Sequence, residues 1–165
     1  MEEKQGAKAN RTGKALEQKI KDLFIEKGLK VYKYSEFIKK TTECDIDNTA
    51  NYAIENVPYE NAYGQISRTE FVLHYNDKSI RIEAKWQEAP GSVDEKYIFM
   101  FYNAVFHYPE KDVIFVVDGG GYRPGARKWL EESIENDRFE YKEKGKTIRL
   151  MNEKEFEEYC KNDFK

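Results

Sequence analysis

The segment from Arg81 to Glu88, RIEAKWQE, carries polar side chains at alternating positions within an apolar run. Because side chains alternate across a β-strand, Glu83, Lys85 and Gln87 are expected to share one face. The opposite face then holds the apolar residues Ile80, Ile82, Ala84 and Trp86. A carboxylate, an amine and a carboxamide side by side are groups that hold cations, contact anions and orient water. The alternative interpretation is a solvated strand face whose charges pair across strands.

A second acid, Glu70, is predicted on the same face by the register of a β-hairpin. The runs EFVLHY and SIRIEAKW flank the turn segment NDK. If Asn76 and Asp77 form a two-residue turn, Glu70 lies opposite Glu83. If the turn begins one residue later, Glu70 lies opposite Lys85. Both registers place Glu70 on the polar face, whereas a three-residue turn does not.

Two carboxylates on neighbouring strands lie roughly 5 Å apart and repel each other unless a cation lies between them. A hard divalent cation that keeps several waters suits such oxygen ligands, and this favours magnesium. The acid-x-Lys pattern occurs six times in the chain, and chance alone gives about four. The occurrence at Glu83 is distinguished by its apolar alternation and by the acid on its hairpin partner.

Helical and strand periodicities divide the rest of the chain into elements that would position these residues. Helices are predicted at about 12–27, 94–107, 124–135 and 152–161, with a helical turn at 36–40. Strands are predicted at 31–34, 112–118, 139–141 and 147–150, besides the hairpin at 70–86. This order predicts an α/β fold, a mixed sheet with flanking helices.

The 165 residues are sufficient for one domain with its own core. Residues 1–11 are expected to form a flexible basic arm, and residues 43–65 an inserted region of loops and short strands. The net charge of −3 does not indicate a nucleic-acid-binding protein, so any basic footprint must be local. Two cysteines and the lack of an apolar run of membrane-spanning length predict a cytoplasmic protein without membrane contact.

The residues around the predicted hairpin resemble the PD-(D/E)XK nuclease superfamily, the fold of many restriction endonucleases. The resemblance is carried by Glu17, Glu70 and Glu83-Ala84-Lys85, within the runs RTEFVL and RIEAKWQEAPGSVDEK. It implies a restriction endonuclease-like αβββαβ core and hydrolysis of DNA phosphodiesters that depends on Mg²⁺, with Mn²⁺ as a substitute. Where the superfamily pattern has Pro-Asp, this chain has Thr69-Glu70.

On this resemblance, Glu70 and Glu83 hold the metal together with the backbone carbonyl of Ala84. Lys85 contacts the scissile phosphate and orients or activates the attacking water. Glu17, on the first helix, corresponds to the additional acid that some members bring to the metal. The alternative for Glu17 is an ordinary glutamate on a helix surface.

Five residues are expected to contact DNA, and one of them also takes part in catalysis. Gln87 would position a phosphate or the water. Lys14, Arg68 and Lys96 are basic residues near the predicted site. Ser92 opens the helix that follows the motif strand, where helix capping is an equal explanation.

The expected activity is that of a DNA endonuclease of restriction-enzyme type acting as a homodimer. Surplus aromatic residues place the dimer interface on the helix at 97–108 or on the segment 52–63. The glycines at 119–121 lack the residues of a phosphate loop, so no nucleotide cofactor is expected. Three alternatives remain open: a junction-resolving, repair or homing nuclease on the same fold, an inactive DNA-binding or assembly protein, and an interaction domain.

Overall fold

A computed structural model describes the backbone of residues 5–43, 50–88 and 93–163, and the side chains of 13–43, 50–88 and 94–163. The helices are α1 (Gln5–Glu26), α2 (Tyr34–Thr42), α3 (Val93–Phe106), α4 (Pro124–Glu135) and α5 (Glu153–Asp163). The strands are β1 (Lys30–Lys33), β2 (Tyr52–Glu60), β3 (Ile66–Tyr75), β4 (Lys78–Trp86), β5 (Asp112–Asp118) and β6 (Thr147–Met151). The predicted α/β class is confirmed. Within the described residues, no helix has the length and apolarity needed to cross a membrane.

The six strands form one mixed sheet in the order β1-β2-β3-β4-β5-β6. Strands β2, β3 and β4 are antiparallel neighbours, whereas β1 pairs with β2 and β5 pairs with β4 and β6 in parallel. β5 is buried at its five central positions, as its continuous apolar run DVIFVVD predicts for a strand covered on both faces.

Each face of the sheet carries its own core. On one face, Leu16, Ile20 and Phe24 of α1 pack with Ile82 and Ala84 of β4. The other face holds a second apolar cluster of α3, α4 and β5: Tyr97, Phe101, Val113, Phe115, Val117 and Leu130. Because both faces of β4 are covered, the polar face predicted for this strand is itself largely buried.

The hairpin has the register predicted for a two-residue turn at Asn76 and Asp77, in which Glu70 lies opposite Glu83. Asn76 and Asp77 both have left-handed backbone conformations, with φ of 48° and 62°, and Tyr75 pairs with Lys78. A two-residue turn with positive φ at both positions matches the twist of the flanking strands. The register therefore directs Glu70 toward Glu83.

The segment 43–65, predicted to contain loops and short strands, instead includes the nine-residue strand β2. Pro58 lies within this strand, and this obscured it in the sequence. β1 pairs with β2 only as far as Glu55. Beyond that point no described strand pairs with this edge of β2, and a proline that lacks an N–H is tolerated there.

Other predicted elements also differ from the structure. α1 begins at Gln5 rather than near residue 12, and the single glycine in residues 5–11, Gly6, does not end the helix. The strand predicted at 139–141 is a short 3₁₀ turn, Arg138–Glu140, in which Phe139 has a φ of 64°. A positive φ is rare for a bulky residue within a strand, and the apolar character of Phe139 gave no warning of this.

The glycines at 119–121 pack against the end of β4. The Gln87 N–H donates to the Asp118 carbonyl, and the Gly121 N–H donates to the Gln87 carbonyl. Gly119 has a φ of 102°, and a Cβ added there would lie 2.7 Å from the Gln87 backbone nitrogen. Gly119 is required because the two backbones approach so closely.

Substitution of Gly119 by alanine is expected to lower the free energy of unfolding by about 2 kcal/mol, since it adds a clash and an unfavourable φ. Urea denaturation measures this change. The matched control is Gly125→Ala, because a Cβ at Gly125 meets open space in α4. Equal stability of the two variants would show that Gly119 can move away from Gln87.

Candidate active site

Glu70 lies at the point where β3 separates from β4. Pairing of the two strands begins at Phe71 and Ile82 and continues toward the turn. Beyond that pair, the Ala84 N–H donates to Oε2 of Glu70 at 2.9 Å. The Glu70 carboxylate therefore takes the place of a backbone acceptor, and this hydrogen bond fixes it beside β4.

The ammonium group of Lys85 is surrounded by three oxygen atoms. Lys85 Nζ lies 2.9 Å from Glu70 Oε1 and 2.8 Å from Glu83 Oε1. It also donates to the Ala84 carbonyl at 3.1 Å. The structure thus brings together Glu70, Glu83, Ala84 and Lys85, and the cation between the two carboxylates is the lysine itself.

Glu83 is the most buried of the three charged side chains in this group. Its second carboxylate oxygen, Oε2, accepts a hydrogen bond from the Tyr108 hydroxyl at 3.3 Å. Burial and the negative charge of Glu70 raise the pKa of Glu83 from 4.5 to about 7, against the opposing influence of Lys85. Burial acts to lower the pKa of Lys85, but the charges of Glu83 and Glu70 outweigh it and raise that pKa. Lys85 is consequently charged at neutral pH.

A buried arginine supports the same face of β4. Arg81, 1% exposed, forms an ion pair with Glu110 and donates from Nη1 to Thr69 Oγ1 at 2.9 Å. Its guanidinium lies 5.1 Å from the ring centroid of Tyr108, which in turn contacts Glu83. Sequence reasoning did not identify this set, although the i and i+2 spacing of Arg81 and Glu83 indicates a shared face.

Glu17 and Glu70 line one cavity between α1 and the sheet, with a volume of about 230 Å³. Lys14 and Lys21 also line it. Burial, followed by the charge of Glu70, raises the pKa of Glu17. Glu17 is therefore directed toward the Glu70 side of the site, as expected from its position beside core-facing Leu16.

Residues 8–162 match a family model described as a PD-(D/E)XK nuclease superfamily domain. The chain belongs to the PD-(D/E)XK nuclease superfamily. No curated protein and no solved structure gave a significant match. The superfamily implies nuclease, that is phosphodiesterase, activity, and its nucleases typically use divalent metals.

The remaining predicted site residues lie at different distances from the carboxylates. Gln87 is buried and donates from Nε2 to Asp94 Oδ1 at 3.2 Å, which directs its amide nitrogen to the start of α3. The backbone N–H of Arg123 donates to the same Asp94 oxygen. This geometry gives Gln87 a contact that joins β4 to α3 and α4, and its catalytic role stays a prediction.

The residues predicted to contact DNA lie on several different elements. Lys14 and Lys96 are exposed on α1 and α3. Arg68 is exposed, but it donates from Nη1 to the Asn56 carbonyl at 2.8 Å. Ser92 lies outside the described residues.

The oxygen atoms around Lys85 fit a hard divalent cation in their chemistry. Glu70, Glu83 and the Ala84 carbonyl are the predicted ligands, and all three converge within about 3 Å of one point. Among the described residues, no group of three or more Asp, Glu, His or Cys side chains is arranged to hold a metal. Two carboxylates and one carbonyl leave several positions for water and phosphate, as magnesium prefers.

The raised pKa of Glu83 predicts how stability depends on pH. In the metal-free protein, the unfolded state ionises at Glu83 near pH 4.5, whereas the folded state does so near pH 7. Stability from this group is fully present below pH 4.5 and is lost as pH rises to about 7, by up to about 3 kcal/mol. Glu83→Gln is expected to remove this loss and to be more stable than the wild type at pH 8.

The matched variant is Glu70→Ala, which is expected to be destabilised because the Ala84 N–H then loses its acceptor. Urea denaturation of the three proteins in EDTA, from pH 4 to pH 8, measures both effects. Parallel stability profiles for Glu83→Gln and the wild type would contradict the raised pKa.

Proposed function

We propose that this protein is a magnesium-dependent DNA endonuclease of restriction-enzyme type that hydrolyses phosphodiester bonds. The observation that carries the proposal is the convergence of Glu70 Oε1, Glu83 Oε1 and the Ala84 carbonyl on Lys85 Nζ, at 2.8 to 3.1 Å. Family membership supports phosphodiester hydrolysis in general. The donor set, with oxygen atoms only, supports magnesium, with manganese as a substitute.

Each residue of the site has a role in this proposal. Glu70 and Glu83 hold the cation with the Ala84 carbonyl, and Glu17 adds a carboxylate from the α1 side of the cavity. A bound divalent cation neutralises charge on the phosphoryl oxygens and lowers the pKa of bound water. Lys85 remains protonated, contacts a phosphoryl oxygen of the scissile group and orients the attacking water.

The phosphate backbone of DNA would be held by basic residues around the carboxylates. Lys14 lies at the cavity that Glu17 and Glu70 share, and Lys96 is exposed on α3, the helix that follows the motif strand. We extend the proposal to Arg68, Ser92 and Gln87 as further DNA contacts. Such contacts release counterions, so binding should weaken steeply with salt despite the net charge of −3.

Incubation of the purified protein with supercoiled plasmid tests the proposal. We expect conversion to cut forms in Mg²⁺ or Mn²⁺ and none in EDTA. Ligation of the products with and without prior end repair distinguishes 5′-phosphate from 3′-phosphate ends. Cleavage of RNA alone, or of branched DNA alone, would show that the protein is a phosphodiesterase with a different substrate from the one proposed. Equal cleavage in EDTA would contradict the dependence on a metal.

The proposed nuclease has an exposed aromatic surface suited to a second copy of the chain. Tyr102, Phe106 and Phe139 are 39%, 44% and 41% exposed, and their rings pack together at centroid distances of 4.7 to 6.0 Å. Ile98, 54% exposed, extends this cluster along α3. We define these four residues as the α3 patch and propose that it forms a two-fold homodimer interface, in which each copy cuts one strand.

Tyr102→Glu is expected to convert the dimer to a monomer, because it places a charge at the centre of the α3 patch. The product should change from linear to nicked plasmid. Light scattering and plasmid cleavage measure the two effects, and Ile25→Glu, at an exposed apolar residue on α1, is the control. A wild-type monomer that cuts both strands would contradict the interface.

A further inference from the structure

Asn56 has a left-handed backbone, with a φ of 58°, in the middle of strand β2. Such a conformation is uncommon for residues other than glycine, although asparagine adopts it more readily than most. A strand that contains it cannot keep regular pairing at that residue. The left-handed conformation of Asn56 therefore marks an interruption of the regular sheet, and such backbone conformations are concentrated at functional sites.

The irregularity lies beside Glu70. Within the described strands, β2 pairs Glu55 with Phe71 and Val57 with Thr69, and the register skips the intervening Asn56 and Glu70. On the other side of β3, pairing with β4 does not extend past Phe71 in the described residues. Glu70 is thus the residue at which pairing lapses on both sides of its strand.

The consequence is a carboxylate placed close to β4. Because the strands separate at Glu70, the space beside the Ala84 N–H is open to its side chain, which accepts that hydrogen bond at 2.9 Å. The other Glu70 oxygen lies 2.9 Å from Lys85 Nζ. In a regular ladder, backbone carbonyls rather than a side chain would satisfy this edge of β4.

Arg68 holds the left-handed residue from the neighbouring strand. Its Nη1 donates to the Asn56 carbonyl at 2.8 Å, and its guanidinium lies 6.0 Å from the Tyr34 ring centroid. Arg68 is two residues from Glu70 along β3. A short segment of β3 backbone therefore links Arg68, which contacts Asn56, to the Glu70 carboxylate.

We propose that Asn56 is a positioning residue for Glu70. Its left-handed backbone, held by Arg68, opens the β2–β3 ladder so that the Glu70 carboxylate reaches Ala84 and Lys85. The effect on cleavage rests on the proposed function, whereas the effect on the position of Glu70 does not.

Two substitutions separate the backbone of Asn56 from its side chain. Asn56→Gly keeps easy access to the left-handed region, whereas Asn56→Ala loses both this access and the amide. In Asn56→Ala, we expect hydrogen exchange of the Ala84 amide to accelerate at least about tenfold, because its acceptor Glu70 moves away. In Asn56→Gly, exchange is expected to remain close to the wild-type rate. The Leu73 amide, in the interior of β3, is the control for global opening.

Cleavage kinetics should follow the same order. Asn56→Ala is expected to lower kcat by about tenfold with KM little changed, since Glu70 acts at the reacting group, and Asn56→Gly is expected to restore kcat. Arg68→Met provides a second variant if Asn56→Ala fails to fold, with faster Ala84 exchange and lower kcat expected.

Three results would overturn the proposal. The first is unchanged Ala84 exchange in a folded Asn56→Ala protein. The second is equal impairment of the Gly and Ala variants, which would assign the role to the amide. The third is unchanged Ala84 exchange in Arg68→Met. A wild type that cuts no DNA would refute the proposed function while the exchange data still decide the role of Asn56.

Discussion

Lys85→Ala is expected to reduce DNA cleavage by about 100- to 1,000-fold in kcat, as removal of a transition-state donor does in other enzymes. DNA affinity should change little, since Lys85 is one contact among several. The substitution also leaves Glu70 and Glu83 without the cation that lies 2.9 Å and 2.8 Å from them. Metal-free stability should fall by about 2 kcal/mol, less than for a fully buried pair because the Lys85 side chain is 22% exposed.

Magnesium is expected to stabilise Lys85→Ala more than the wild type, because in the variant a metal no longer competes with the ammonium for the same oxygen atoms. Plasmid cleavage, fluorescence anisotropy with labelled duplex and thermal unfolding with and without Mg²⁺ measure the three effects. Lys78→Ala, at an exposed lysine on the same strand, is the control. Wild-type kcat in Lys85→Ala would remove this lysine from the mechanism.

Among the substitutions proposed for this protein, Arg81→Ala is expected to lower the free energy of unfolding most, by about 3 kcal/mol or more. The substitution leaves Glu110 without its buried ion-pair partner and removes a donor to Thr69. Because Arg81 also packs on Tyr108, which contacts Glu83, cleavage should fall even under conditions where the variant is folded.

Urea denaturation measures this effect in a double-mutant cycle of Arg81→Ala, Glu110→Ala and the double variant. The double variant should recover part of the stability, since it no longer buries an uncompensated carboxylate. Additive losses in the cycle would show that the ion pair contributes no coupling energy.

The hairpin was predictable because its information is local. Alternation along β4 and the turn residues between β3 and β4 decide which side chains share a face, and the Asn76-Asp77 turn selects one of two registers. The relative placement of Glu70, Glu83 and Lys85 follows from these two features. Their proximity therefore required no knowledge of the rest of the sheet.

The features that the sequence did not reveal depend on distant residues. Glu110 pairs with Arg81 across 29 positions, and no local pattern connects them. Asn56 is left-handed at the position opposite Glu70, and its carbonyl accepts from Arg68 of β3, a pairing of two strands that the local sequence does not reveal. Gln87 and Gly119 meet because β4 and β5 end side by side, a relation that exists only after the parallel strands have paired.

Single-turnover cleavage of supercoiled plasmid in Mg²⁺ by Glu83→Gln, compared with Glu88→Gln, tests the central claim most directly. Both variants remove one negative charge near the end of β4, but Glu88 is exposed and lies outside the group around Lys85. We predict that Glu88→Gln cuts at the wild-type rate, whereas Glu83→Gln is folded, binds DNA and does not cut. Cleavage by Glu83→Gln at the wild-type rate would contradict the assignment of this site.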